Sequence, residues 1–113
     1  MLTVLMSMVG TKAFAYDIAL KNSDGVTIYY NYINDGTEFE VVAWEEHYYS
    51  GVVNIPETVT YMNRTRRVTS IGERAFSGCS GLTSVVIPNS VNIIGYLAFY
   101  GCSGLTSVVI PLQ

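Results

Sequence analysis

The sequence is poor in charge, in histidine and in basic residues. Only 13% of its 113 residues are charged, six Lys and Arg against nine Asp and Glu, for a net charge of −3. Proteins that bind nucleic acid generally carry a basic face, so that class is excluded. A single histidine, His47, and two cysteines, Cys79 and Cys102, are too few for a four-ligand His/Cys zinc centre. His47 sits in Trp44-Glu45-Glu46-His47-Tyr48-Tyr49, without a His-Glu-x-x-His spacing, and reads as part of a polar loop. Ser80 lies in Gly78-Cys79-Ser80-Gly81, which is not a nucleophile elbow. The glycines do not fall between a strand and a helix start, so no phosphate loop is present. Nothing has the triad logic of nucleophilic catalysis, and no catalytic, cofactor-binding or metal-binding residue is assigned.

Long hydrophobic runs are missing too. The longest opening run, Leu2 to Val9, has eight residues, far short of the roughly 20 a membrane span requires. Ala13-Phe14-Ala15 follows it, with small residues at −3 and −1. Residues 1–15 therefore read as a signal peptide cleaved between Ala15 and Tyr16, and the chain as exported to the cell surface or beyond. The basic segment that usually opens such a peptide is missing, because no Lys or Arg precedes the run.

What is present is half hydrophobic, with nine tyrosines among thirteen aromatics and many Val, Ile and Thr. Those types suit strands. Residues 68–90 and 91–113 align as a repeat of 23, identical at sixteen positions. A period of this size signals a solenoid. Within Leu82-Thr83-Ser84-Val85-Val86-Ile87, Val85 and Ile87 point one way and Ser84 and Val86 the other. Pro88 has no N–H to donate and ends the strand. Val91 and Ile94 continue inward, Gly95 allows a tight or positive-φ turn, and Ala98-Phe99 form a short helical or 3₁₀ stretch. Ordering one such coil costs more than its few inward side chains return, so the coils must stack.

The pattern Leu-x-x-Val-x-Ile-Pro…Ile-Gly…Ala-Phe-x-Gly-Cys-Ser-Gly over 68–113 resembles the leucine-rich repeats of the BspA-like bacterial surface proteins. The resemblance implies a mainly β leucine-rich-repeat solenoid, secreted or displayed on a surface and used in adhesion and protein binding.

Residues 16–67 read as a β-rich N-terminal cap that covers the first coil. Asp35-Gly36 joins two strand-like runs, 26–33 and 37–44, into a hairpin. Val52-Val53-Asn54-Ile55-Pro56 resembles the repeat strand end Val85-Val86-Ile87-Pro88. Nine extra residues separate Pro56 from Gly72, compared with Pro88 to Gly95, and are expected to form a second hairpin around Met62-Asn63-Arg64-Thr65. Arg64, Arg66 and Arg67 then mark a solvated hairpin tip. Among Tyr29, Tyr30, Tyr32, Trp44, Tyr48 and Tyr49, one strand face belongs to the core and an exposed patch is the lesser expectation. The last strand, 105–110, is expected to be a bare edge prone to self-association, since Pro111-Leu112-Gln113 adds no polar closing unit. On this reading the chain is truncated at its C-terminus.

Cys79 and Cys102 fall on adjacent rungs, close enough for a disulfide, but as equivalent residues they point in parallel. They read as buried thiols, with a bridge left open. The candidate partner-binding strand face is Thr83, Ser84, Val86, Thr106, Ser107 and Val109. The leading function is a non-catalytic surface or secreted module that binds protein partners and takes no cofactor. The alternative is a spacer or self-assembling scaffold for a downstream domain.

Overall fold

A computed structural model describes residues 15–44 and 48–110. Residues 1–14, which make up all but the last residue of the segment 1–15 read as a signal peptide, residues 45–47 with the loop residue His47, and residues 111–113 lie outside the described residues. Among the described residues nine strands form two sheets: β1 (Ile18–Lys21), β2 (Thr27–Ile33), β3 (Glu38–Val42), β4 (Gly51–Asn54), β5 (Thr58–Tyr61), β6 (Arg64–Ile71), β7 (Leu82–Val86), β8 (Ile93–Ile94) and β9 (Ser107–Val109). One sheet runs β1-β2-β3-β6-β5 with β8 on the far side of β6; the other is β4-β7-β9.

Both expected hairpins form. β2 and β3 pair antiparallel across a turn in which Asn34, Asp35 and Gly36 take φ of 53°, 59° and 81°. β5 and β6 pair antiparallel across Met62 and Asn63, at φ 56° and 63°. In the β5–β6 turn, two successive left-handed residues give the reverse twist that a two-residue hairpin needs, whereas β2 and β3 are joined by the four residues 34–37. β1, which adds an edge to β2, was not anticipated.

The solenoid is built by two parallel ladders. In the first, Gly51–Asn54 pairs with β7 and β7 pairs with β9, aligning Val53, Val85 and Val108. In the second, Val41 aligns with Ile71 and Ile71 with Ile94. The sequence repeat supplies two rungs to each ladder; β3 and β4 supply a third. The cap segment thus contains a coil of its own, from Glu38 to Ile55, that opens the stack.

The expected short helical stretch is instead a run of turns. Ala75, Ser77 and Cys79 donate N–H bonds to the carbonyls of Gly72, Arg74 and Phe76, and Ala98, Tyr100 and Cys102 repeat the pattern one coil later. Arg74 and Leu97 (φ 59° and 56°) and Gly78 and Gly101 (φ 77° each) are left-handed, which stops a helix from propagating. Gly95 is needed for a different reason from the one expected. Its φ is not positive, but a Cβ there would lie 2.6 Å from the Glu73 amide nitrogen and 2.7 Å from the Gly72 carbonyl carbon. Glycine lets adjacent coils approach backbone to backbone.

The core lies between the ladders and the turns. Phe39, Val41, Val53, Val68, Ile71, Phe76, Leu82 and Val85 are fully buried. An aromatic column threads it: the Tyr49 and Phe76 centroids are 4.8 Å apart, and Phe76 stacks on Phe99 at 5.3 Å with the rings 6° from parallel.

Candidate partner-binding face

The β4-β7-β9 ladder has the alternation read from the repeat. Val85 and Ile87 are buried, while Ser84 and Val86 are half-buried and face out. Parallel register places Val52, Ser84 and Ser107 in one outward column and Asn54, Val86 and Val109 in the next. Thr106 follows Thr83, to whose carbonyl it donates from both its amide (3.0 Å) and its hydroxyl (3.1 Å). Of the six sequence-derived candidates, Ser84, Val86, Ser107 and Val109 therefore lie in the outward columns, while Thr83 and Thr106 are exposed and hydrogen-bonded to one another at the start of the strands.

Two members of that surface, Val52 and Asn54, were not among the candidates. The signal for them was the likeness of Val53-Asn54-Ile55-Pro56 to Val85-Val86-Ile87-Pro88. Val52 is half exposed, whereas Asn54 is held down at its edge. The Asn54 side-chain amide donates to the Asp24 carboxylate at 2.7 Å, and Asn22 donates to the Asn54 carbonyl at 2.9 Å. None of the column residues is charged, so the face offers small apolar, hydroxyl and amide groups, with the Asp24 carboxylate at its edge against Asn54.

The other candidates separate from this face. Both cysteines are free thiols. Cys79 is buried, and burial pushes its thiol up to about 11. Cys102 is half-buried, is raised by burial, and places its sulfur 3.0 Å from the Phe76 carbonyl. Arg66 departs from the solvated tip expected for the three arginines. Its Nε donates to the Gly36 carbonyl at 2.6 Å, and its guanidinium lies over the rings of Tyr32 and Phe39, at 4.9 and 5.6 Å. It ties one hairpin to the other, while Arg64 and Arg67 stay exposed. Tyr30 and Tyr49 belong to the core, and Tyr16, Tyr29 and Trp44 make an edge-to-face cluster at the β2 end. Among the described residues, no three His, Cys, Asp or Glu side chains gather to hold a metal ion. No helix there is long and apolar enough to cross a membrane.

Comparison with known proteins agrees with this architecture. The family described as BspA type leucine rich repeat region (6 copies) matches residues 53–113. A leucine-rich repeat protein from Bacteroides ovatus is similar at 42% identity and TM-score 0.67, over 74% of this chain and 22% of that one. One from Bacteroides capillosus is similar at 30% identity and TM-score 0.64, over 80% of this chain and 64% of that one. A leucine rich cell surface protein from Faecalibacterium prausnitzii is similar at 27% identity and TM-score 0.63, over 83% of this chain and 24% of that one. The chain thus spans less than two thirds of the length of each. The search of curated proteins gives no match. With its register, its repeated turns and more than half its length matching, this chain belongs to the BspA-type leucine-rich repeat family.

Proposed function

We propose that this chain is an exported, non-catalytic protein-binding module that engages a partner across the outward face of β4, β7 and β9. One observation carries the reading. Three parallel strands hold Val52, Ser84 and Ser107, and then Asn54, Val86 and Val109, in register, and none of these six outward residues is charged. A face of small side chains accepts a neighbouring extended segment without steric cost, and the columns fix its register. Kinship to a cell surface protein supports placement outside the cell, as does the apolar segment 1–15. In this proposal, residues 1–15 are a signal peptide, 16–67 a cap that includes the first rung, and 68–90 and 91–113 two leucine-rich repeats. Stable complexes bury roughly 800 Å² per partner, far more than three short strands supply. Strong adhesion then requires avidity from a longer array.

Among the described residues β9 pairs only with β7, which favours a second reading, a self-assembling scaffold or spacer. Val108, Val109 and Ile110 are exposed there, and a strand edge is a template for further pairing.

The test has two arms. Intact mass of the secreted fraction should show a chain starting at Tyr16; a cytosolic chain that keeps Met1–Ala15 would sink the export reading. On an array of unstructured peptides, the full chain should bind a subset, and Ser84→Lys with Ser107→Lys should abolish that binding. Equal binding by the double variant rules out this face.

A further inference from the structure

The two repeats act as controls for one another. They differ at seven positions, and four of these, three on the turns and one in the β6–β8 strands that lead into them, each exchange a polar side chain for a large apolar or aromatic one. Ser70 corresponds to Ile93, Glu73 to Tyr96, Arg74 to Leu97 and Ser77 to Tyr100. The backbone beneath them is the same, with matching left-handed residues and the same turn hydrogen bonds in both coils. Folding therefore does not ask for the apolar set, because the preceding coil makes the same turns with polar residues. Burial does not account for the two tyrosines either: Tyr96 and Tyr100 are 70% and 64% exposed, while Ile93, whose counterpart Ser70 is buried between two strands, is 60% exposed on the outermost one described.

A following coil would not cover the central part of this surface. Glu73 and Arg74 have a coil on each side, and their side chains are still 66% and 53% exposed. Tyr96 and Leu97 occupy the same positions one coil later, so they face outward whatever stacks beneath them.

We propose that Ile93, Tyr96, Leu97 and Tyr100 form a docking patch occupied by the same patch on a second copy of this chain, in a two-fold symmetric contact. Three features point to a second copy. The patch carries no charge, so two copies of a chain with net charge −3 meet there without bringing carboxylates together. Its charged neighbours, Glu73 and Arg74, lie 3.9 Å apart with opposite signs, which keeps the rim neutral. An isologous contact needs a self-complementary surface, and tyrosine supplies one: a ring face to pack and a hydroxyl to bond at the rim. The two rings and Ile93 expose on the order of 400 Å², about half of what each side of a stable dimer buries. The contact is accordingly weak and reversible. It stands apart from the β4-β7-β9 face and does not depend on that reading.

Sedimentation equilibrium of the full chain tests it against a graft: Ile93→Ser, Tyr96→Glu, Leu97→Arg and Tyr100→Ser. Each introduced residue is already tolerated at the same place one coil earlier. The parent chain should show an average mass that climbs toward the dimer with concentration. The graft should weaken dimerisation at least tenfold with an unchanged far-ultraviolet circular dichroism spectrum. Tyr100→Ser alone should weaken it several-fold and decides the matter if the graft misfolds. Val109→Lys, at the β9 edge, should leave dimerisation as it is. A parent chain that stays monomeric up to ~1 mM, the limit of very weak association, overturns the proposal. So does association that survives the graft and is lost in Val109→Lys.

Discussion

The Tyr49 ring packs 4.8 Å from the Phe76 ring, and the Tyr49 hydroxyl donates to the Val42 carbonyl at 2.8 Å. The same hydroxyl accepts the Tyr29 amide at 3.1 Å. One side chain thus joins the N-terminal hairpin to the aromatic column of the repeats. Tyr49→Phe keeps the packing and removes both hydrogen bonds at a buried site, at a cost of about 1–3 kcal/mol. Tyr49→Ala also empties the column and should cost about 3–5 kcal/mol. Urea titrations should rank the two in that order; a Phe variant as stable as the parent refutes the bridging role.

Glycine columns separate two kinds of constraint. An alanine Cβ at Gly95 collides with the backbone of Glu73 and Gly72, and neither can yield without parting the coils. Gly101 has φ +77° but no contact tighter than 3.5 Å, so alanine there meets only the left-handed penalty. Gly101→Ala should cost about 1–2 kcal/mol. Gly95→Ala should cost about 3 kcal/mol or more, as overpacking against rigid backbone does. Thermal melts compare them directly, and a reversed order contradicts the close-approach account.

The repeat and its strand alternation were legible because sixteen identities in 23 mark every inward position twice. The hairpins were legible from turn chemistry at Asp35-Gly36 and from the nine extra residues before Gly72. The opening coil was not. Its Val42 stands where the repeats have Gly72 and Gly95, and Tyr49 packs where they carry Phe76 and Phe99. The path from Val41 to Val53 is also two residues shorter than that from Ile71 to Val85, so a fixed period misses it. Only Val53, Ile55 and Pro56 kept the signature, and Val52 and Asn54 were missed with the rest. The turn-side patch is spelled out in the sequence differences, yet its significance needs the exposure of Glu73 and Arg74.

Arg66 is the basic residue that holds structure. Lysine at this position keeps the charge but loses the Nε–H bond to Gly36 and the planar group over Tyr32 and Phe39. Arg66→Lys should destabilise by about 1–2 kcal/mol. Arg64→Ala, at an exposed site, should stay within about 0.5 kcal/mol. Equal effects in a urea titration would return all three arginines to a solvated tip.

Burial sets the direction of the pH dependence. In the unfolded chain the Cys79 thiol ionises near its ordinary value of 9; in the folded chain burial raises it to about 11. Between those values the folded state holds the proton and the unfolded state releases it. Stability is therefore fully present below about pH 9 and falls as pH rises, by at most ~1.4 kcal/mol per pH unit for this group. Tyr30 and Tyr49, whose hydroxyls burial also pushes above their ordinary value of 10, steepen the fall at higher pH. Urea midpoints at pH 7, 9 and 10.5 should show a flat limb followed by a decline, and Cys79→Ala should delay its onset. The same burial protects the sulfur, because the thiolate is the nucleophile. With iodoacetamide at pH 8 the half-buried Cys102 should label before Cys79 in the native chain. Both should label in urea without a reductant. Intact mass reads each addition, and a chain that gains none in urea would contain the disulfide that the parallel geometry disfavours.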